Sequence, residues 1–484
     1  MTTINTNDLR VQNANDLVDV LTSRSNSYVT RGRVLPWIDE NSPPPPQNNN
    51  QTYYSYWDSV YDLEPVRSVD ANLMLPRRVW ESGVTYDRYQ HNYTLENRAF
   101  SGASNIFDCN FFVLTQTLSV YVCLNNNNNS PSTVEPVAVG NESFFYTSDG
   151  YQWLRLFDIT EDDLRARATN NLMPLLPTNR PTTNNQGEVY TVLIDDGGSG
   201  YTNNPQGVNQ LSYYYAKISG DGSGAVARVT VSGGTITEII VTRPGVGYTF
   251  AELIFESGKV YATEGELDLG INGLNPLGDG NFRTTVIISP PQGWGSDLAA
   301  ELGGTRVGVF SSPITDRFSA PFRQIGLLTD PTVKAGKTGN IIATSAIKVD
   351  PDSIPTGKLF VIGETIKQSR IMENGVTKNA KGTVIAFDNN IIYYLQGATN
   401  VDEGTGELID FGGNDPVEGL TSGITATVDR TATGTGEFDT LNFSSGYASG
   451  NVTPYTGSLN FITNISPVAL SADERQRINL VISF

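Results

Sequence analysis

The chain contains a single histidine, so every catalytic arrangement that needs an imidazole depends on one position. His91 excludes a His–His metal site within one chain, and a Ser-His-Asp triad would rest wholly on this residue. It lies in the polar, tyrosine-rich stretch YDRYQHNYTL, which is typical of a surface or turn histidine. The sequence therefore does not favour imidazole chemistry.

Two glycine-containing segments resemble nucleotide-binding loops but lack the required spacing. AGKT (335–338) would need a glycine at position 331, where Pro331 stands, and a helix after it, where the strand-like NIIATSAI follows. GDGSGA (220–225) lacks the last glycine of a dinucleotide-binding fingerprint and leads into a strand. Neither segment predicts a nucleotide cofactor.

Acidic residues are plentiful but lie in no catalytic pattern. Asp195, Asp196 and Asp221 belong to a Gly-Asp-rich tract, a setting that can bind calcium. One calcium site needs six or more oxygen ligands, so calcium stays open as an alternative for this tract. No pair of carboxylates lies in a recognisable frame for glycoside cleavage. We therefore predict no catalytic residue, no cofactor and no metal, and a protein that is not an enzyme.

The charge balance excludes several classes of partner. The chain has 51 acidic and 32 basic residues, a formal net charge of −19. Nucleic-acid binding rests on Lys and Arg that neutralise phosphates, and no Lys/Arg run is present, so we expect no nucleic-acid partner. The N-terminal sequence carries no basic start with an apolar core, and no apolar run approaches the ~18 residues of a membrane span. We therefore expect no membrane partner. We also expect the chain to be synthesised and kept in a cytoplasm.

The pattern along the chain predicts a β-core interrupted by two small all-β modules. The length corresponds to about three domain-sized units. The predicted segments are an N-terminal helix (1–26), the first part of a β-sandwich core (27–186), a Gly-rich β insertion (187–262), the second part of the core (263–354), a small β-sandwich or barrel insertion (355–432) and C-terminal core strands (433–484).

Three helices are predicted from caps and apolar spacing. The first is capped by Asn7 or Asn13 and has an apolar face formed by residues 17, 18, 20 and 21. The second follows Thr160 as its cap and ends at Pro174. The third, in GWGSDLAAELGG (293–304), is capped by Ser296 and stopped by two glycines.

Local alternation predicts several hairpins. CNFFVLTQTLSVYVCL forms one, flanked by Cys109 and Cys123, which we expect to be buried free thiols. FFYTSDGYQWLRLFDI forms another, with Asp149-Gly150 at its turn. In the Gly-rich tract, ARVTV and TEIIV are joined by SGGT. The later tract contains the strand-like KLFVIGETI, GTVIAFD, NIIYYLQ, ELIDF and GITATVD, whose spacing predicts a small sandwich or barrel.

Aromatic residues cluster after a Pro- and Asn-rich loop, SPPPPQNNNQ. The cluster consists of Tyr53, Tyr54, Tyr56, Trp57 and Tyr61. Such a cluster in a secreted lectin would indicate sugar stacking. Here we predict packing or a subunit contact, because Tyr and Trp are enriched at the centres of interfaces.

Five short segments in a fixed order carry the strongest signal. They are RGRVLPW (31–37), LPRRVW (75–80), DGYQWLRLFDI (149–159), FRQIGLLTDP (322–331) and the terminal RINLVISF (477–484). In this order they resemble a baseplate wedge subunit of the T-even type of contractile-tailed bacteriophages, the subunit that is a homodimer in each wedge. The two Gly-rich tracts lie outside the resemblance, and no single motif is specific.

The resemblance implies a mainly β protein with a layered β-sandwich core, short helical excursions and a structural role. It implies a virion protein of the tail baseplate, assembled in the host bacterial cytoplasm, with a second copy and other wedge proteins as partners. The alternative is a host-glycan-binding or depolymerising tail protein. The candidate core or interface anchors are the Arg and aromatic residues of the five segments: Trp37, Arg77, Arg78, Trp80, Trp153, Arg323 and Phe484.

The C-terminal segment alternates apolar and polar residues. We therefore predict a strand that buries Ile478, Leu480, Ile482 and Phe484 on one face. Its predicted neighbour in the sheet is SLNFITN (458–464).

Overall fold

The computed structural model describes residues 6–23, 26–90, 93–138, 144–176, 186–202, 211, 213–290, 292–311, 314–315, 318, 320–334, 339, 341–435, 441–468 and 475–484. The chain forms two compact units. Unit 1 comprises Met1–Asn15, Asn72–Gly308 and Ile482–Phe484, and unit 2 comprises Asp16–Ala71 and Val309–Val481. The fold is mainly β with several antiparallel sheets, as predicted.

The described residues contain five α-helices. They are α1 (Asn7–Ser23), α2 (Asn50–Trp57), α3 (Glu161–Arg167), α4 (Glu264–Leu269) and α5 (Leu298–Leu302). Single 3-10 turns occur at Ile106–Asp108, Glu256–Gly258 and Pro351–Ser353.

Thirty strands lie within the described residues. The first half contains β1 (Ser27–Gly32), β2 (Val60–Pro65), β3 (Ala71–Pro76), β4 (Phe112–Leu114), β5 (Ser119–Asn126), β6 (Phe144–Tyr146), β7 (Tyr151–Asp158), β8 (Leu172–Pro174), β9 (Val189–Asp196), β10 (Tyr214–Gly220), β11 (Ser223–Ser232), β12 (Thr235–Val246) and β13 (Ala251–Leu253). The second half contains β14 (Arg283–Ile288), β15 (Arg306–Phe310), β16 (Ile314–Thr315), β17 (Phe322–Thr329), β18 (Ile341–Ile342), β19 (Ser345–Lys348), β20 (Thr365–Ile371), β21 (Thr377–Asp388), β22 (Ile391–Leu395), β23 (Val417–Gly419), β24 (Thr425–Ala426), β25 (Gly434–Thr435), β26 (Asn442–Phe443), β27 (Tyr447–Ala448), β28 (Ser458–Val468), β29 (Arg475–Gln476) and β30 (Asn479–Ser483).

Unit 2 contains a five-stranded sheet built from distant parts of the chain. Its order is β18-β2-β1-β17-β28. β1 pairs antiparallel with β17, so Arg31 lies opposite Ile325 and Gly32 opposite Gln324. β17, which lies between β1 and β28, is buried along its whole length, including the polar residues Arg323 and Gln324.

The caps of the first helix and of the last differ from those predicted. The hydroxyl oxygen of Thr6 accepts a bond of 3.3 Å from the Leu9 N–H, so Thr6 takes the capping place predicted for Asn7 or Asn13. Asp297, rather than the predicted Ser296, caps α5 by accepting from the Ala300 N–H at 3.0 Å. The Asp297 carboxylate, one position after the predicted serine, therefore caps the first turn of α5.

The second predicted helix is shorter than expected. Thr160 caps α3 as predicted, since its hydroxyl accepts from the Asp163 N–H. The helix ends at Arg167, and Pro174 belongs to β8, where it pairs with Met74. The Thr169 hydroxyl accepts from the Leu172 N–H, and this local turn replaces the last predicted helical turns.

The two hairpins predicted in the first part of the core are confirmed. β4 pairs with β5, and β6 pairs with β7, in a sheet of order β4-β5-β7-β6. Gly150 provides the positive φ of the second turn, 84°. Cys109 and Cys123 are buried free thiols, as predicted.

The Gly-rich module extends beyond its predicted boundary. β11 and β12 form the predicted hairpin, with Gly233 and Gly234 both at positive φ. β9 pairs with β14, and one apolar cluster continues from Val189 to Ile288, so the boundary predicted at 262 falls inside it. Entry and exit meet where the Ser289 hydroxyl accepts from the Gly187 N–H at 3.1 Å.

The strands of the later tract form one antiparallel sheet, for which a small sandwich or barrel was predicted. A seven-stranded sheet has the order β24-β23-β20-β21-β22-β19-β27. An antiparallel bridge between Val349 and Val428 joins the chain just after β19 to the chain just after β24, which closes the sheet around an apolar cluster. The predicted strand ELIDF is not a strand, whereas β19 and β27 lie outside the predicted limits 355–432.

The C-terminal prediction is partly wrong. Ile478 and Leu480 are each only 5% exposed, but Ile482 is half-buried and Phe484 is 37% exposed. β30 belongs to a sheet of order β30-β15-β3-β8, whereas the predicted neighbour SLNFITN lies in β28 and pairs with β17. β30 ends at Ser483, and the Phe484 N–H donates to the Thr305 carbonyl, which anchors the terminal backbone and leaves the ring partly in solvent.

Candidate functional site

A buried ion pair crosses two neighbouring strands of unit 2. Arg31 on β1 lies opposite Asp62 on β2. The Nη2 atom of Arg31 is 2.5 Å from Oδ2 of Asp62, and their side chains are 3% and 2% exposed. The Arg31 guanidinium also lies about 6 Å from the ring centroids of Tyr61 and Phe322. Removing either charge would break this pair and leave the other charge buried.

Arg323 connects β17 to the loop that follows β1. Its Nε atom donates to both carboxylate oxygens of Glu40, at 2.9 and 3.0 Å. Its Nη1 atom donates to the Val34 carbonyl at 2.5 Å. The segments 31–37 and 322–331 are therefore held together by strand pairing and by a side chain.

Trp37 is held in the same loop, five residues after the end of β1. Its indole N–H donates to the Ile465 carbonyl at 3.1 Å, and the Arg33 guanidinium lies 3.7 Å from its ring centroid. Burial, followed by repulsion from Arg323, lowers the pKa of Arg33, and Glu40 opposes the shift. Arg33 adopts a φ of 58°, a backbone conformation that non-glycine residues rarely occupy.

In unit 1, Trp153 is a core residue rather than a surface anchor. It is fully buried on β7, where its ring stacks on Tyr151 at 5.4 Å and meets the Tyr86 ring edge-on at 5.8 Å. Trp80 is half-buried against the same cluster, and its indole N–H donates to the Ser132 hydroxyl at 3.1 Å. Both tryptophans therefore contribute to the core.

Arg77 and Arg78 are half-buried after β3. The Arg78 guanidinium lies 4.6 Å from the centroid of the Phe112 ring and donates to the Phe107 carbonyl at 3.3 Å. Burial lowers the pKa of Arg78 below its ordinary value. This arginine packs over the interior of its unit. Phe484 is the most exposed of the candidate anchors.

The structure brings some anchors together and adds residues that the sequence did not single out. Arg323 and Trp37 hold one loop in unit 2, whereas Trp80 and Trp153 share a cluster in unit 1. The sequence analysis did not single out Glu40, which pairs with Arg323, or Asp62, which pairs with Arg31. A carboxylate inside the apolar strand VYDLEP was the available signal for Asp62, because a buried charge needs a partner.

The acidic residues considered for calcium are occupied by the protein itself. Asp221 accepts bonds from the Thr249 hydroxyl and from the Thr249 and Phe250 N–H groups, which lowers its pKa to about 2. Asp195 accepts from the Thr285 hydroxyl, and Asp196 from the Gly198 N–H. Within the described ranges no group of three or more His, Cys, Asp or Glu residues could hold a metal ion.

Two sequence features fall outside the residues that the structure describes: His91 and the segment 335–338. In the described part of the chain no helix is both long and apolar enough to cross a bilayer. No protein-family model and no curated protein matches this chain.

Proposed function

We propose that the chain is a non-catalytic structural subunit of a contractile-tail baseplate wedge in a bacteriophage, acting as a homodimer that links neighbouring wedge proteins. The observation that carries this proposal is the ordered set of five segments that resemble that family. The role is mechanical: the subunit holds its neighbours in register and transmits the rearrangement that triggers sheath contraction.

The positions of the segments support the proposal. Residues 31–37 and 322–331 contribute adjacent strands of one sheet although almost 300 residues separate them. The segment 75–80 begins with the last two residues of β3, and the terminal segment contains β30; both strands lie in another sheet, with β15 between them. Segments that share a sheet must match one another in register, so their joint occurrence is more informative than five independent motifs.

The packing suits a part that moves as a rigid body. Close-packed cores resist deformation, and the cross-strand pair of Arg31 and Asp62 and the bonds of Arg323 add directional links between segments. A force applied to one face of such a unit reaches the opposite face with little internal rearrangement. This is the property that a coupling element in a baseplate needs.

Two measurements test the proposal. Mass spectrometry of purified phage particles, with tails separated from heads, should find the chain in the tail fraction. Light scattering of the isolated protein at micromolar concentration should give twice the chain mass of 52.5 kDa. Absence from particles would overturn the assignment to the virion, and a monomer at all accessible concentrations would overturn the homodimer.

A host-glycan-binding or depolymerising tail protein is the alternative from another class, and its depolymerising form can be tested directly. A reducing-sugar release assay on capsular and lipopolysaccharide glycans separates the two functions. We expect no release above the buffer control. Sustained release that depends on protein concentration would contradict a purely structural role.

A further inference from the structure

A groove on unit 2 is lined by several amide and aromatic side chains. It has a volume of about 640 Å³ and lies between the loop before α2 and the start of β28. We call it the amide groove, defined by residues 46–50, Thr52, Tyr53 and 457–462. None of these residues is charged, in a chain with 83 charged residues by the counts of 51 acidic and 32 basic. The groove therefore suits an uncharged ligand.

One wall of the groove presents side-chain amides. The Asn49 side chain already makes hydrogen bonds within the protein. Its oxygen accepts from the Thr52 N–H at 2.8 Å, and its nitrogen donates to the Gln47 side-chain oxygen at 3.1 Å. These bonds fix the loop. Asn48 and Asn50 are exposed, and in the part of the chain that the structure describes neither side chain has a hydrogen-bond partner. Each offers one donor pair and one acceptor to a ligand.

The opposite wall adds an amide and apolar surface. The Asn460 side chain donates to the Thr329 hydroxyl at 2.9 Å, which leaves its oxygen as an acceptor. Phe461 and Tyr53 are half-buried lining residues, and the Tyr53 hydroxyl donates to the Gly457 carbonyl at 3.4 Å. The Tyr54 and Tyr455 rings, 5.7 Å apart, extend the aromatic surface next to Tyr53.

Planar amides beside aromatic rings match the chemistry of a neutral sugar. Sugar hydroxyls donate to and accept from the same groups as an amide, and the C–H face of a pyranose packs on an aromatic ring. A phosphate or a uronic acid would need cationic groups, which this lining lacks. A volume of about 640 Å³ lies within the range of ligand sites, about 300–1,000 Å³.

An extended peptide is the other occupant to consider, because β28 is the last strand of its sheet among the described residues. The edge is interrupted where it borders the groove. Leu327 pairs with Phe461 and Leu328 with Leu459, so Asn460 is an extra residue in a β-bulge. A bulge twists an edge and disrupts the regular ladder that an added strand needs. The geometry therefore favours a sugar over a peptide.

We propose that the amide groove binds a short, uncharged oligosaccharide, held by the amides of Asn48, Asn50 and Asn460 and by the ring of Tyr53. This proposal does not depend on the proposed role in a baseplate. A wedge protein and an unrelated protein could both carry such a site.

The first experiment is a glycan array with the full-length protein, followed by calorimetry with the strongest neutral hit. We expect binding to neutral glycans and none to sialylated or phosphorylated ones. The double variant Asn48→Ala/Asn50→Ala should weaken the binding of that hit by at least about tenfold, because two hydrogen bonds to the ligand are lost. Both positions are exposed, so the melting temperature should not change.

The matched control is Asn41→Ala/Asn442→Ala, which removes two exposed amides of the same unit outside the groove. This variant should bind like the wild type. No neutral glycan bound by the wild type, or equal affinities for both double variants, would overturn the proposal. Capture from an array of extended peptides, lost in Asn48→Ala/Asn50→Ala, would assign the groove to a peptide strand. Detection in phage tails is measured separately and is unaffected by any of these outcomes.

Discussion

At the scale of single residues, the buried pair of Arg31 and Asp62 makes a sharp prediction about stability. Asp62→Asn leaves a buried guanidinium without its carboxylate and should destabilise the protein by about 3–5 kcal/mol, measured by urea unfolding. Replacing both residues by apolar ones of similar size, as in Arg31→Met/Asp62→Leu, should recover most of this loss.

The control is a pair of the same chemistry in solvent. The Nη2 atom of Arg165 lies 2.6 Å from Oδ1 of Asp162, but the two side chains are 76% and 86% exposed. Asp162→Asn should change the free energy of unfolding by less than about 1 kcal/mol. Equal effects of the two Asp→Asn substitutions would show that Arg31 finds other compensation in the folded state.

The two cysteines give a second prediction at this scale. Both thiols are fully buried, and burial raises the pKa of Cys109 to about 12 and the pKa of Cys123 well above its ordinary value. The thiolate is the reactive form, so native protein should not react with a thiol reagent at pH 8. In urea both thiols should react. Rapid reaction of either thiol without denaturant would contradict the burial of that site.

At the scale of elements, the pairing of β9 with β14 lets us predict which deletion in the Gly-rich module the core tolerates. Removing 187–261 deletes β9 and leaves β14 without its partner. Three residues of this strand pair, Tyr190, Leu193 and Ile287, pack into the apolar cluster of the first core sheet. We therefore expect this deletion to yield aggregated protein, measured by size-exclusion chromatography.

A deletion that keeps β9 and β14 should behave differently. Asp196 lies opposite Arg283, so joining them through Asn-Gly forms a two-residue hairpin turn. Val189, Val192, Val286 and Ile288 would lose the module that covers them, and replacing all four by threonine keeps that face compatible with solvent. We expect this version to be folded and monodisperse. Aggregation of both versions would show that the whole module completes the core.

The C-terminal strand separates a buried anchor from an exposed one. Leu480 is 5% exposed, so Leu480→Ala should cost about 2–5 kcal/mol. Phe484 is 37% exposed, and Phe484→Ala should cost less than about 1 kcal/mol. Thermal unfolding of the two variants checks this order. The reverse order would indicate that the terminal ring is buried in solution, for example against a partner.

What the sequence could predict follows from the range of the interactions. The hairpins β4–β5, β6–β7 and β11–β12 are local, so alternation and turn glycines were enough to find them. The cap at Thr160 is equally local. The pairing of β30 with β15 joins strands some 170 residues apart, and nothing in β30 itself identifies that partner over β28. Register between distant strands is set by the assembled core.

The candidate site shows the same limit. The arginines and tryptophans could be selected by type, but their roles depended on burial. Trp153 is fully inside its unit, whereas Trp37 holds a loop through the Ile465 carbonyl, 428 residues later in the chain. The sequence could mark Asp62 as a charge inside an apolar strand, but its pairing with Arg31, and that of Glu40 with Arg323, depends on which segments lie side by side. Residue type was enough to select candidate anchors, but whether each one lies in the core or holds a loop depends on the fold.

At the scale of the whole molecule, the charge of the chain bears on its assembly. Two copies that each carry a net charge of −19 repel one another at low ionic strength. The screening length falls from about 30 Å at 0.01 M salt to about 8 Å at 0.15 M. If the proposed homodimer forms through uncharged surface, added salt weakens the repulsion and leaves the contact itself nearly unchanged. The dissociation constant, measured by sedimentation equilibrium, should therefore decrease as sodium chloride is raised between these two concentrations. A dissociation constant that increases with salt would indicate ion pairs across the interface, and a monomer throughout the range would contradict the homodimer.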